Sequence, residues 1–336
     1  MSSPPAGRGA LERIVQRTVQ RCRTQRLFVA GDRVLLGLGA DVASLGLLGF
    51  LLHAREALGI ASVSVAAIEE RCDEEADDAE QVADLGRLAR QLGLTFHGVR
   101  PSGRGGRVRV VDELRTIAAS HGYARIALAS TRDDDAVRVL AEVLRGRGLS
   151  TLRGLAPKVR GGVVRPLLGL ERTEAGGLAA LLDVDIVMPP PGEAVAPRDR
   201  ITPALASTVL PRLRGLSPSA SASLARLGRD ARRVQRSFAR EARDLVAGCD
   251  AGAAELTLEG AMLRGVRGPW VAREALRALS PGALAEVRSK DAATLVRAAR
   301  QSSELGRAGA VVLHGATALL DRRDGRVTLR RRGSRG

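Results

Sequence analysis

Between Arg33 and Arg145 the chain repeats one local pattern: a short apolar run, a turn, then an amphipathic stretch of helical length. The apolar runs are Arg33–Leu38 (RVLLGL), Ser62–Ile68 (SVSVAAI), Thr95–Val99 (TFHGV) and Ala124–Ala129 (ARIALA). The helical stretches that follow cover Ser44–Leu58, Asp77–Leu92, Val111–His121 and Asp134–Arg145. Strands that alternate with helices of this length predict an α/β fold, a parallel sheet with helices on both faces. Such a sheet binds its ligands at the carboxyl ends of the strands, so the loops after the apolar runs should carry the chemistry.

Outside that block the pattern changes. Leu11, Ile14, Val15 and Val19 recur at helical spacing among arginines, which predicts a basic amphipathic helix ahead of the first strand. After Leu170 the prolines at 189–191, 197 and 203 mark a break, and a long helical stretch runs from about Ala204 to Ala247. Near the end, Asp324-Gly325 between two alternating runs is a hairpin signal. The expected organisation is a basic helix over 1–30, an α/β domain over 31–200, a helical linker over 201–249 and a small α+β domain over 250–336. With 336 residues, 45% of them apolar, each larger part can bury a core.

Charge narrows the partners. Lys+Arg minus Asp+Glu is 53 − 37 = +16, which directs attention to an anionic partner, nucleic acid or a membrane surface. Lys158 and Lys290 are the lysines, so the rest of the cationic charge is arginine, a bias that base composition of the genome could also produce. The charge is not uniform: residues 198–243 hold 11 arginines and three acids, whereas 69–80 hold eight acids and one arginine. Within the linker Arg226, Arg229, Arg233, Arg236 and Arg240 fall along one stripe of a helix, suited to a phosphate backbone or simply a solvated face. The six aromatics (Phe28, Phe50, Phe96, Tyr123, Phe238, Trp270) are too few for a base-stacking platform.

Other classes find little support. Cys22, Cys72 and Cys249 form no CxxC pair, and His53, His97, His121 and His314 have neither triad nor HExxH spacing, so no metal site is predicted. The longest apolar stretch, Leu45–His53, is far short of the ~18 residues that cross a bilayer, and no apolar leader core is evident. A soluble, cytoplasmic protein with no membrane partner is expected.

The loops carry a sharper signal. DRVLLGLGADVASLGLL (Asp32–Leu48) resembles the strand and phosphate loop VLVAVSGGxDSLALL of the PP-loop ATPases, specifically of the tRNA(Ile)-lysidine synthetase family. The resemblance continues in order: Val82–Arg100, then Arg125–Pro157 against AHHxDDQAET…RGxGLxGLxGM, Val163–Leu168 against an RPLL element, and Pro197–Leu213 against RNxIRxxLLPxL. The terminal LHGATALLDRRDGRVTL is similar to the family's last hairpin.

The resemblance implies a Rossmann-like PP-loop sheet, ATP and Mg as cofactors, and tRNA as partner. The family adenylates the wobble cytidine of an isoleucine tRNA, and lysine then displaces AMP. Carried over by position, Gly37, Gly39, Ala40, Asp41 and Ser44 form the nucleotide loop, and Asp133 and Asp134 are the retained carboxylates for nucleotide or metal. Arg145, Arg165, Arg198, Arg200, Arg229, Arg233 and Arg236 are the candidate RNA contacts, since planar guanidinium forks suit phosphate.

The departures fall on the reactive positions. Against SGGxDS the chain has Gly39-Ala40-Asp41-Val42-Ala43-Ser44, so a carboxylate replaces a cradle glycine and Ala43 replaces the metal-binding Asp. The second motif, DHGLR, corresponds to Ile68-Glu69-Glu70-Arg71-Cys72 and keeps none of its polar groups. Ser130 and Thr131 replace the paired histidines, and Asp133–Asp135 also read as the cap and first turn of the next helix. Surviving scaffold with altered reactive positions predicts a degenerate, RNA-binding member. An active ligase using a variant loop, and a structural or regulatory protein that binds neither ATP nor RNA, are the alternatives.

Overall fold

Val34, Leu35 and Leu36 are wholly buried, and their side chains alternate between two separate cores, as the period of a strand requires. They belong to β1 (Arg33–Gly37), the central strand of a five-stranded sheet in the order β3-β2-β1-β4-β5, where β2 is Ser62–Ile68, β3 Phe96–Val99, β4 Arg125–Leu128 and β5 Val163–Val164. All neighbouring pairs are parallel, with Leu36 opposite Val65 of β2 and Ala127 of β4. The computed structural model describes residues 8–39, 41–68, 76–99, 110–146, 149, 152–183, 201–251, 255–279, 289–305, 308–313, 316–320 and 326–331.

Helices cover both faces. On one lie α1 (Arg8–Thr24), α2 (Val42–His53), α3 (Ala76–Gln91) and the 3-10 turn Leu178–Leu182, burying Val15, Leu47, Phe50 and Leu88 against Val34, Leu36 and Val65. On the other, α4 (Val110–His121) buries Leu114, Ile117 and Ala118 against Leu35, Ala66 and Ile126. This α/β sheet has the parallel strands expected from the apolar runs; β5, two residues long, gave no separate strand signal. Strand order reverses direction between β1 and β4, so the loops that leave those two strands open beside one another at their carboxyl ends.

The chain divides into two compact units, residues 1–146 with 153–228, and residues 147–152 with 229–336. In the first, α5 (Arg132–Leu144) follows β4 and α6 (Arg172–Gly177) follows β5. Ala136, Val137 and Ala141 of α5 pack against Leu205 and Leu210, which lie in α7 (Ile201–Ala204), its π-helical continuation Leu205–Val209, and α8 (Leu210–Leu216). The helical stretch expected without interruption to Ala247 breaks here. Pro218 disfavours helical backbone at the preceding residue, Ser217 is extended (φ −146, ψ 108), and α9 (Ala220–Ala247) starts afresh.

In the second unit an antiparallel sheet runs in the order β6-β7-β10-β9-β8: β6 Asp250–Ala251, β7 Glu255–Glu259, β8 Gly309–Leu313, β9 Ala316–Leu320 and β10 Arg326–Arg331. Its core joins Leu256, Leu258 and Leu329 to Trp270 and Leu295 of α11 (Gly268–Ala278) and α12 (Ser289–Leu305), with the short α10 (Gly260–Arg264) alongside. β9 and β10 pair antiparallel as a terminal hairpin should; Asp324 and Gly325 lie outside the described residues. Among the described residues no helix is long and apolar enough to cross a membrane.

The helix that opens on the site is set by backbone contact. A Cβ added at Gly46 would overlap the Ala175 carbonyl oxygen, and one at Gly49 would overlap that of Leu178. Close packing of α2 on α6 and the 3-10 turn therefore requires both glycines. Gly46→Ala is expected to cost about 1–3 kcal/mol, read from the urea midpoint. Gly177→Ala, with open space around the added methyl, should be neutral or stabilising.

Candidate functional site

A helix start leaves backbone N–H groups without intrahelical partners, and it is this set of donors that makes a helix N-terminus an anion site. At α2 those donors face Asp41. Its Oδ1 accepts the N–H groups of Ala43 (2.9 Å) and Ser44 (3.2 Å), and its Oδ2 accepts the Ser44 hydroxyl (2.6 Å). Asp41 is thus the N-cap, in extended backbone (φ −133, ψ 154) that needs no glycine, and it starts the helix two residues earlier than the apolar pattern suggested. Gly39 stands beside this cap: a Cβ there would lie 3.3 Å from Asp41 Oδ2. Gly37 ends β1, while Ala40 lies outside the described residues.

The loop after β4 is closed by the same kind of chemistry. Thr131 caps α5 and forms a reciprocal box with Asp134: Asp134 Oδ2 accepts the Thr131 N–H and hydroxyl, both at 2.7 Å, and Thr131 Oγ1 accepts the Asp134 N–H at 3.4 Å. Asp133 is buried. Its Oδ2 accepts the Arg172 N–H at 2.9 Å and its Oδ1 accepts Arg214 Nη2. Arg214, on α8, also donates from Nε to Ser221 Oγ at 3.0 Å. Asp135, buried as well, accepts the Leu155 N–H; Gly154 before it has φ +57, and a Cβ there would strike the Asp135 carboxylate.

Arg172 joins the two loops. Its Nη2 donates to Asp134 Oδ1 at 2.8 Å and its Nη1 lies 4.0 Å from Asp41 Oδ1. Burial works against its charge, but Asp134, Asp41 and Asp133 together hold the guanidinium above its ordinary pKa. The helix that carries it is itself braced by charge. Glu174 accepts the Glu171 N–H (2.9 Å) and Arg17 Nη2 (2.6 Å), and Arg132 pairs with Glu171 at 2.9 Å.

Sequence reasoning therefore brought Gly39, Asp41, Ser44, Asp133 and Asp134 to one place. It missed Arg172 and Arg214, which complete the place. The available hint was a deficit, three carboxylates in adjacent loops that call for countercharge, but nothing local marked which arginines supply it. The donors at the start of α2 are occupied by Asp41, and the Asp134 and Asp133 carboxylates by Arg172 and Arg214. A phosphate would have to displace Asp41 from three donors and meet its charge at contact distance, and a metal would have to displace Arg172 and Arg214 from Asp134 and Asp133. Ala43 offers no ligand, and the described residues contain no cluster of three or more His, Cys, Asp or Glu suited to a metal.

The candidate RNA contacts are spread over both units. Arg145 caps the end of α5 and donates to Glu142 at 3.2 Å. Arg165 donates to the Ala156 carbonyl at 2.9 Å; burial lowers its pKa and Asp135 opposes the shift. Arg229, Arg233 and Arg236 lie exposed on α9. Arg198 and Arg200 lie outside the described residues, as do Glu69–Cys72 of the altered second motif. Elsewhere, Cys22 is buried in the first core, where desolvation pushes its thiol up to about 12 despite Arg21, so it is inert.

With this geometry in view, the comparisons with known proteins are specific. The family described as PP-loop domain matches residues 11–186, just over half of the chain. A tRNA(Ile)-lysidine synthase of Solibacter usitatus is 36% identical over 159 residues, covering 44% of this chain and 34% of that protein. Another, from Symbiobacterium thermophilum, is 35% identical over 158 residues, covering 43% and 32%. The match thus spans about a third of the length of either relative. Among solved structures, the U34-tRNA thiolase NcsA of Methanococcus maripaludis, determined with its 4Fe–4S cluster, aligns over 68% of this chain and 80% of its own. Its TM-score is 0.51 at 16% identity, a likeness of fold alone.

The bracing of α6 has a pH signature. Burial raises the Glu174 carboxyl, but the Glu171 N–H, Arg17 and Arg132 outweigh it and hold the net pKa below 4.5. A carboxyl depressed in the folded state stabilises above its unfolded pKa, and that contribution fades as pH falls through the folded value. Glu174→Gln should therefore lower the urea midpoint at pH 7, with the deficit shrinking as pH drops below about 4.5. An equal deficit at both ends of a pH series would show that the ion pairs do not stabilise the fold.

Proposed function

The chain belongs to the PP-loop family, and from that premise we propose that it is a tRNA(Ile)-lysidine synthetase-like protein that binds RNA, with tRNA the leading candidate, and has given up ATP chemistry. The observation that carries this reading is the Asp41 carboxylate at the start of α2. It engages the Ala43 and Ser44 amides and the Ser44 hydroxyl, the donors that would stabilise a departing pyrophosphate. Arg172 and Arg214 neutralise Asp134 and Asp133, so the charge that would attract a divalent ion is already balanced by guanidinium. ATP and Mg are accordingly not cofactors of this chain in the proposal.

RNA binding is supported by the relatives, which are named for tRNA modification, and by the charge of +16 with its concentration in arginines on α9. The proposed division of labour is a PP-loop-like domain over 31–200, preceded by a basic helix, with a helical linker over 201–249 and a small C-terminal domain over 250–336. A cytoplasmic location belongs to the same reading.

The test is turnover. Purified full chain with ATP, magnesium, lysine and an isoleucine tRNA bearing the unmodified wobble cytidine should exchange no pyrophosphate into ATP above the protein-free level. It should also leave no lysidine in the digested tRNA. Lysidine in that tRNA would overturn the proposal and identify a ligase that works through a variant loop.

A further inference from the structure

The long helix α9 carries more order than a basic surface requires. Ser221, Ala225, Gly228, Ala231, Gln235, Ala242 and Val246 are buried, which fixes one side of the helix inward. Arg226, Arg229, Arg233, Arg236, Arg240 and Arg243 are exposed. Their spacing alternates three and four residues, so six guanidiniums fall within an arc of about 100° along roughly 26 Å of helix. Arg226, Arg229, Arg236 and Arg240 have no carboxylate partner among the described residues, and Arg233 has a loose one, Asp230 at 3.8 Å. Glu241 is taken up by Arg267 at 2.9 Å. The row is therefore charge held out to solvent rather than charge consumed by internal pairs.

Ring stacking is closed to this face. Phe238 is the aromatic residue of α9, and its ring packs edge-on against Trp270 at 5.0 Å with Arg267 over it at 5.9 Å. A single strand gains much of its affinity from bases stacked on rings, and it releases fewer counterions per phosphate contacted, about 0.7 against about 0.9 for a duplex. A straight row of cations without rings favours the denser, stiffer charge of a duplex. Resting on the RNA-binding reading above, we propose that the exposed arginine row of α9 docks one phosphate backbone of a double-helical RNA stem, without reading its bases.

Fluorescence anisotropy with the full chain tests this using a 20-base-pair RNA hairpin stem, a stem of scrambled sequence and an unstructured uridine 20-mer, each from about 50 to 200 mM KCl. The expected result is that both stems bind alike and about tenfold or more tighter than the uridine strand. Replacing Arg229, Arg233 and Arg236 together by Gln should weaken stem binding at least about tenfold and flatten the log–log salt slope by about 2.7. A control variant, Arg277→Gln with Arg330→Gln, should leave both unchanged, and matching thermal melts exclude misfolding. Tighter binding of the uridine strand, or an unchanged slope in the triple variant while the parent binds RNA, overturns the α9 inference alone. Absence of salt-dependent binding to every RNA overturns the RNA-binding reading with it.

Discussion

The Asp41 carboxylate at the mouth of α2 is the interaction on which the rest of the site depends. A helix start must have its free N–H groups satisfied, by ligand, water or the chain itself. In this protein the chain does it. Two amides and one hydroxyl converge on a single carboxylate within 3.2 Å. The negative charge so fixed lies near Asp133 and Asp134, and cations balance the three. Arg172 and Arg214 supply them from α6 and α8, and in doing so tie the loops after β1 and β4 to helices that follow the sheet. The crevice at the carboxyl ends of the strands is thus spanned by an ion-pair network in which Arg172 and Asp41 stay about half exposed.

The scaffold and the site draw on different residues. The sheet is held by apolar burial on two faces, and α2 is held against α6 by glycines that admit backbone contact. Neither depends on the polar groups of the loops. Reactive positions can therefore change while Gly46, Gly49, Gly154 and the buried strands keep the same architecture. Identity of about 35% to proteins named for lysidine synthesis, over about a third of their length, fits a preserved scaffold.

The sheet was legible because a strand buried on both faces reads as an uninterrupted apolar run, and β1, β2 and β4 are of that kind. The break at Ser217 was legible in principle from Pro218 and was overridden by the strength of the helical pattern around it. β5 was not legible: two residues carry no period. At the site, Asp41 was conspicuous as a carboxylate in a cradle, but sequence could not say whether its side chain would turn toward the donors or away from them. Arg172 and Arg214 could not be assigned, because an ion pair across the fold leaves no local signature in an arginine-rich chain. The arginine row of α9 was the reverse case, since helical spacing alone placed Arg229, Arg233 and Arg236 on one exposed face.

The central claim is that the chain's own carboxylate holds the place of phosphate. Calorimetric titration of Mg–ATP into the full chain at neutral pH addresses it most directly, because it reads occupancy without requiring turnover. The account predicts no saturable heat up to about 1 mM nucleotide, a concentration that would reveal any binding stronger than about 4 kcal/mol. Stoichiometric binding in the micromolar range would contradict it, since nucleotide would then displace Asp41 from the donors of Ala43 and Ser44.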